Sequence, residues 1–200
     1  MSMKHPLLAA LAAPLLATAL VALPALADPV AGAEARAQLF HPEHVEVVRY
    51  DAEGLSDQEV QILASVAQGQ KYYAAVAFAP ADGLMSEATV MAANHHTVAA
   101  ARTAALAECE ERRSAAGRCV IVLEVRPAGW QARDLQLSAD ATVAFGNEYP
   151  MRGGESALAV SPESGLWGIG SGTNAAADAL ATCAQAGDAP AGDCVVVIAN

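Results

Sequence analysis

Apolar and polar positions along this chain fall into two matching phrases. Ala74 to Leu84 reads AAVAFAPADGL and Ser156 to Leu166 reads SALAVSPESGL. Setting Ala75 on Ala157 pairs Val76 with Leu158, Ala77 with Ala159, Phe78 with Val160, Pro80 with Pro162, Gly83 with Gly165 and Leu84 with Leu166. An apolar run, then Pro-x-x-Gly, then a further apolar residue predicts a β-hairpin, because proline fixes φ in the turn and glycine accepts φ > 0. Within such a strand Val76 and Phe78 face away from Ala75 and Ala77.

The likeness continues downstream. AALAEC, ending at Cys109, matches DALATC, ending at Cys183; a polar Gly-bearing loop, a second cysteine and an apolar strand follow each, Cys119-Val-Ile-Val-Leu and Cys194-Val-Val-Val-Ile. Val98, Ala101, Ala105 and Cys109 recur at helical spacing, and their small side chains let the helix lie close on a sheet. Two units are too few for a solenoid. The expectation is an α+β fold of two ββαβ-type repeats, 71–127 and 154–200, each with an internal disulfide. They pack as one domain over 28–200 and share a core, with Val76 and Leu158 in equivalent inward positions.

Two segments flank the repeats. In 28–70, Gly32 to Phe40 suggests a short helix and Val45 to Val48 a strand. Ser56-Asp-Gln-Glu59 is a capping box that starts a helix running from Asp57 to about Ala67. In 128–153, Leu135 to Leu137 suggests a strand, and Ser138 caps a helix through Phe145.

The N-terminal pattern predicts an exported chain, periplasmic or secreted. After Lys4, an apolar run from Pro6 through Leu26 closes in Ala25-Leu26-Ala27, the small-x-small form that a signal peptidase reads, so 1–27 is expected to be a leader cut before Asp28. Pro14 and Pro24 argue against an uncleaved anchor, and no later segment is continuously apolar enough to cross a bilayer. Without Lys4, 22 acidic residues face 10 basic ones, a net charge of −12. That excess repels nucleic acid and anionic lipid, which need clustered lysine and arginine. About 173 residues suffice for one domain with a real core.

Four cysteines in an exported chain predict disulfides, and four permit three connectivities. The repeat selects Cys109–Cys119 and Cys183–Cys194, one bond made twice between a helix end and the next strand; reduced core thiols are the competing arrangement. Each loop of roughly ten residues makes its bond worth about 2–3 kcal/mol.

The YYAAVA hairpin, the ALAEC helix and the CVIV strand resemble small exported bacterial proteins of unknown function, over Tyr72–Val125 and Ser156–Asn200. Chains of that type have no agreed catalytic residues, so the resemblance implies none here. Some carry the label 5-aminolevulinic acid synthase, which would imply a lysine Schiff base with pyridoxal phosphate. Lys71 is the one lysine after the leader, and the chain lacks the size of that enzyme's fold, so no cofactor is expected.

Other chemistry has a structural counterpart at each point. His95 and His96, with His41 and His44, are the candidates for a Zn²⁺ or Cu²⁺ site, although adjacent histidines before a helix read first as polar caps or surface. Gly168-Ile-Gly-Ser-Gly172 lacks the βαβ setting of a dinucleotide loop and reads as a Gly-rich strand end. Ser171 has no flanking glycines at the nucleophile-elbow spacing. Tyr72, Tyr73, Trp130 and Trp167 are candidates for lining a groove, or for core and rim. The expected function is a non-catalytic binding or interaction module for a protein, peptide or small molecule; the alternative is an enzyme with a metal-assisted site at the repeat junction. Intact-mass measurement of the exported protein is expected to give a chain beginning at Asp28; a retained Met1 leader would contradict the reading.

Overall fold

A computed structural model describes residues 28–149 and 154–200; the expected leader, 1–27, lies outside them. Among the described residues the fold is mixed α and β with five helices and two antiparallel sheets. The elements are α1 (Gly32–Gln38), β1 (Val45–Arg49), α2 (Asp57–Ala67), β2 (Ala74–Phe78), β3 (Val90–Ala92), α3 (Val98–Arg112), β4 (Val120–Pro127), α4 (Ala139–Glu148), β5 (Ser156–Val160), β6 (Trp167–Ser171), α5 (Ala175–Ala184) and β7 (Val195–Ala199). One sheet has the order β1-β4-β2-β3, the other β6-β5-β7. Both 74–127 and 156–199 therefore run strand, strand, helix, strand, with the first strand central.

The central strands β2 and β5 are buried on both faces, and the faces differ in size. Ala75 and Ala77 lie with Ala101, Ala105 and Cys109 of α3; Ala157 and Ala159 lie with Ala175, Ala179 and Cys183 of α5. The opposite faces carry the bulk, Val76 and Phe78 in one cluster and Leu158 and Val160 in another. Each central strand also slips its register against the strand that follows the helix, β4 or β7, at the same aligned step, Val76/Ala77 and Leu158/Ala159. The helix ends are tied as the pairing predicts: Cys109–Cys119 and Cys183–Cys194, with Cα separations of 6.1 and 6.2 Å.

Val76 and Leu158 both point inward, but into different clusters, so a single shared core is not what the chain builds. The first sheet's bulky face is covered by α2, through Ala64 and Ala67, and by the Tyr72–Tyr73 segment. The second sheet's bulky face is covered by α1, through Ala35, and by Phe145 of α4. Helix α4 serves both clusters, with Ala139 in the first and Ala141 in the second. The N-terminal segment thus crosses to the second sheet. Val30 bridges Ile198 of β7, and Gly32 N–H donates to Asn200 Oδ1 at 2.8 Å.

Local signals held where their partners are local. The Ser56 box forms: Ser56 N–H donates to Glu59 Oε2 at 2.8 Å, and Ser56 Oγ accepts from Glu59 N–H at 3.3 Å. Helix α1 ends at Gln38, short of Phe40. The first hairpin's second arm begins at Val90, not near Leu84, because 79–89 coils through successive turns pinned by Thr89 Oγ1 donating to Leu84 O at 2.7 Å. Leu135–Leu137 is not a strand. Both leucines plug the second cluster, and Leu135 N–H donates to Gln38 Oε1 at 3.2 Å, a side-chain acceptor in place of a ladder.

Glycine sets how closely α5 approaches its sheet. A Cβ on Gly168 would stand 2.3 Å from Cys183 N, and one on Gly170 would stand 2.1 Å from Ala175 O, so helix backbone occupies the space a side chain would need. Gly170→Ala is expected to destabilise the protein by about 2 kcal/mol or more in urea unfolding, whereas Gly192→Ala, where a Cβ meets nothing, should change it by less than about 0.5 kcal/mol. Equal effects at the two positions would contradict the close approach.

Candidate functional site

The segment 93–97 brings α3 against the turn between β5 and β6, and polar residues from both sides meet at this junction. Asn94 takes φ 63°, a left-handed conformation that asparagine tolerates. Its amide and Asp140 bond reciprocally: Asn94 Nδ2 donates to Asp140 Oδ2 at 3.0 Å, and Asp140 N–H donates to Asn94 Oδ1 at 3.1 Å. Lys71 Nζ reaches the same carboxylate oxygen at 2.6 Å. Across the junction Gly165, at φ 80°, sits so close that an added Cβ would stand 2.5 Å from Asn94 O.

His96 is the buried centre of this contact. Ser138 N–H donates to His96 Nδ1 at 2.9 Å, which places the proton on Nε2, and Nε2 donates to Leu166 O at 3.0 Å. One neutral ring thus joins α3's entrance, the cap of α4 and the β5–β6 turn. Burial pushes its pKa down to about 4, outweighing the Leu166 carbonyl and the Asp193 charge. His95 is also buried and its pKa is lowered by burial; among the described residues its Nδ1 has no hydrogen-bond partner. Both rings are interior, not surface caps, because the β5–β6 turn closes over them.

A second polar set fastens that turn. Ser161 Oγ donates to Asp193 Oδ1 at 2.6 Å and Glu163 N–H donates to Asp193 Oδ2 at 3.0 Å. Burial works to raise the Asp193 pKa, and these bonds outweigh it, so the carboxyl is held below its usual range. The first hairpin is fastened likewise: Ser114 N–H and Ala115 N–H each donate to Asp82 at 2.8 Å. In both places an aspartate ties the turn to the disulfide loop.

Two recesses flank the junction. A groove of about 540 Å³ is lined by Ala99, Ala100, Thr103, Ala104 and Ala107 of α3 and by Pro162 and Glu163. A smaller one of about 370 Å³ has Asn94, Asp140, Leu166, Trp167 and Thr182 on its walls.

The predicted site residues are distributed as follows. Tyr72 and Tyr73 are 1% and 0% exposed and cannot line a groove; they are core, ring centroids 5.2 Å apart. Trp130 stacks under Arg126, and Trp167 borders the smaller recess. His41 and His44 stack on each other at 4.1 Å, and among the described residues no group of three or more His, Cys, Asp or Glu is placed to hold a metal ion. Lys71 is spent on Asp140, and Gly168–Gly172 forms β6 and its end against α5. Among the described residues no helix is long and apolar enough to cross a membrane. No protein-family model, curated protein or solved structure matches the chain.

Sequence reasoning missed Glu124, which is fully buried between Arg102 and Arg126. A charged residue inside the apolar run Val120–Val125 was the available signal.

The His96 contact predicts a pH dependence. The folded pKa lies below the ordinary 6.5, so the unfolded chain takes up the proton first, and stability is lost as pH falls from 6.5 toward about 4. Urea unfolding is expected to show a loss of about 2 kcal/mol between about pH 7 and pH 5, shrinking in His96→Gln. A wild-type midpoint that stays flat over that window would contradict the buried neutral ring.

Proposed function

We propose that this protein is an exported, disulfide-stapled, non-catalytic module of the periplasm or extracellular space. It is built from two copies of one ββαβ unit and holds a peptide, protein segment or small molecule in the groove between them. The observation that carries the reading is the use of the junction's polar groups. Asn94, Asp140, Lys71, His96, Ser161 and Asp193 are all bonded within the protein, and the adjoining groove is walled mainly by alanine methyls. An apolar recess beside a rigid polar scaffold suits binding, whereas catalysis needs groups free to exchange protons with a substrate.

Duplication is supported by the shared strand order, the matched register slips, the paired glycines at φ 81° and 80°, and the twin disulfides. Export is supported by those disulfides, which persist in oxidising compartments, and by the leader pattern. An enzyme at the junction is favoured by His95 Nδ1, which has no hydrogen-bond partner among the described residues.

A thermal-shift panel of peptides and small molecules on the oxidised protein separates the two. A groove ligand near tenfold above its Kd should raise Tm by about 3–6 °C. The shift should vanish in Ala104→Trp, which fills the groove. Chemical turnover of a panel compound that is lost in His95→Ala would overturn the non-catalytic reading.

A further inference from the structure

The helix-facing side of the first sheet carries a charge cluster that the junction does not use. Glu124 lies within β4, 0% exposed, and both its oxygens are taken. Arg102 of α3 donates to Oε1, and Arg126 donates to Oε2 through Nη2 and through Nε at 2.8 Å. Tyr50 joins the two guanidiniums: Arg126 Nη2 donates to its hydroxyl at 3.0 Å, and Arg102 stands 5.5 Å from its ring centroid. Both arginines grip one carboxylate and flank one tyrosine; the Nε–Nη2 edge of Arg126 closes on Glu124, whereas Arg102 uses only Nη1 there.

The charge count there is unbalanced. One arginine would neutralise Glu124; two leave an excess of one positive charge on a chain whose formal net charge is −11. Glu46, cross-strand from Arg126, turns its carboxylate to Gly129 N–H at 3.1 Å and forms no ion pair among the described residues. Arg102 commits Nη1 to Glu124 while its side chain stays 42% exposed, and that of Arg126 is 21% exposed. Among the described residues this leaves Arg102 its Nε and Nη2 donors and Arg126, which lies over the Trp130 ring, its Nη1. A guanidinium held by one carboxylate beneath is pre-oriented to form a planar fork with a second oxyanion above.

We propose that Arg102, Arg126 and Tyr50 form an oxyanion-binding site, which takes the carboxylate or phosphate group of a small acidic ligand, with Glu124 as the buried anchor that positions both guanidiniums. This site stands apart from the groove reading and does not depend on it. Its test follows the arginine Nε–Hε signals by NMR while inorganic phosphate, and separately succinate, is titrated into the oxidised protein at low ionic strength, with sodium chloride as the screening control. The signals of Arg102 and Arg126 are expected to shift saturably with at least one probe; the tighter probe identifies phosphate or carboxylate as the group read. Arg102→Gln leaves Glu124 bonded by Arg126 and should weaken the affinity by about tenfold or more. Arg102→Lys keeps the charge without the fork and should weaken it as well; it carries the test should the glutamine variant lose its fold. Signals that stay fixed into the tens of millimolar, that follow sodium chloride equally, or that titrate unchanged in the Arg102 variant would reduce the cluster to a buried ion triad and overturn the proposal.

Discussion

The closeness of helix to sheet is the constraint on which the remaining structure depends. Helices α3 and α5 can rest on β2, β5 and β6 only because the contact faces carry alanine and glycine. The backbone atoms that would strike a Cβ at Gly168 or Gly170 measure how little space is left. Dispersion contacts are individually small and fall off steeply with distance, so this apposition recovers from many methyl contacts what large side chains supply elsewhere. It also brings Cys109 and Cys183, on the buried stripes of the two helices, to bonding distance of the strands that follow.

Bulk is displaced to the other face of each sheet, and there the two sheets differ. The first is covered by α2 and the tyrosine pair, the second by α1 and α4. The chain begins its described course on the second sheet, crosses to build the first, and returns through α4, so neither sheet's cover comes wholly from its own stretch of sequence. Between them lies a polar seam in place of a common core. A buried imidazole with both nitrogens engaged fixes relative position more narrowly than methyl packing does, and an unmade bond there would cost the desolvation of its partner. Rigid surroundings of this kind keep the neighbouring groove in one shape, and a preformed recess loses little ordering entropy on binding.

What was legible in the sequence was local, or repeated within it. The Ser56–Glu59 box needs partners three residues apart, and the Val98–Cys109 stripe needs only helical spacing, so both could be read directly. The disulfide pairing is a long-range property, yet it was readable because the same arrangement is written twice. By contrast, His96 meets Leu166 at a separation of 70 residues and Arg126 meets Tyr50 at 76, and nothing in either local sequence announces the partner. His95-His96 read as surface because the turn that buries them lies far along the chain. Tyr72 and Tyr73 read as a possible groove lining because aromatic residues suit core and rim alike. Leu135–Leu137 has a strand's alternation, but it pairs in no sheet among the described residues and the side chain of Gln38 in α1 takes the Leu135 amide.

Helices α3 and α5 are each seated so closely that the last buried residue bonds the start of the strand that follows. Non-reducing peptide mapping of the protein probes that seating. It should recover Cys109 joined to Cys119 and Cys183 joined to Cys194, with no free thiol. A link between the two halves, such as Cys109 to Cys183, or four alkylatable thiols in the native protein, would contradict it.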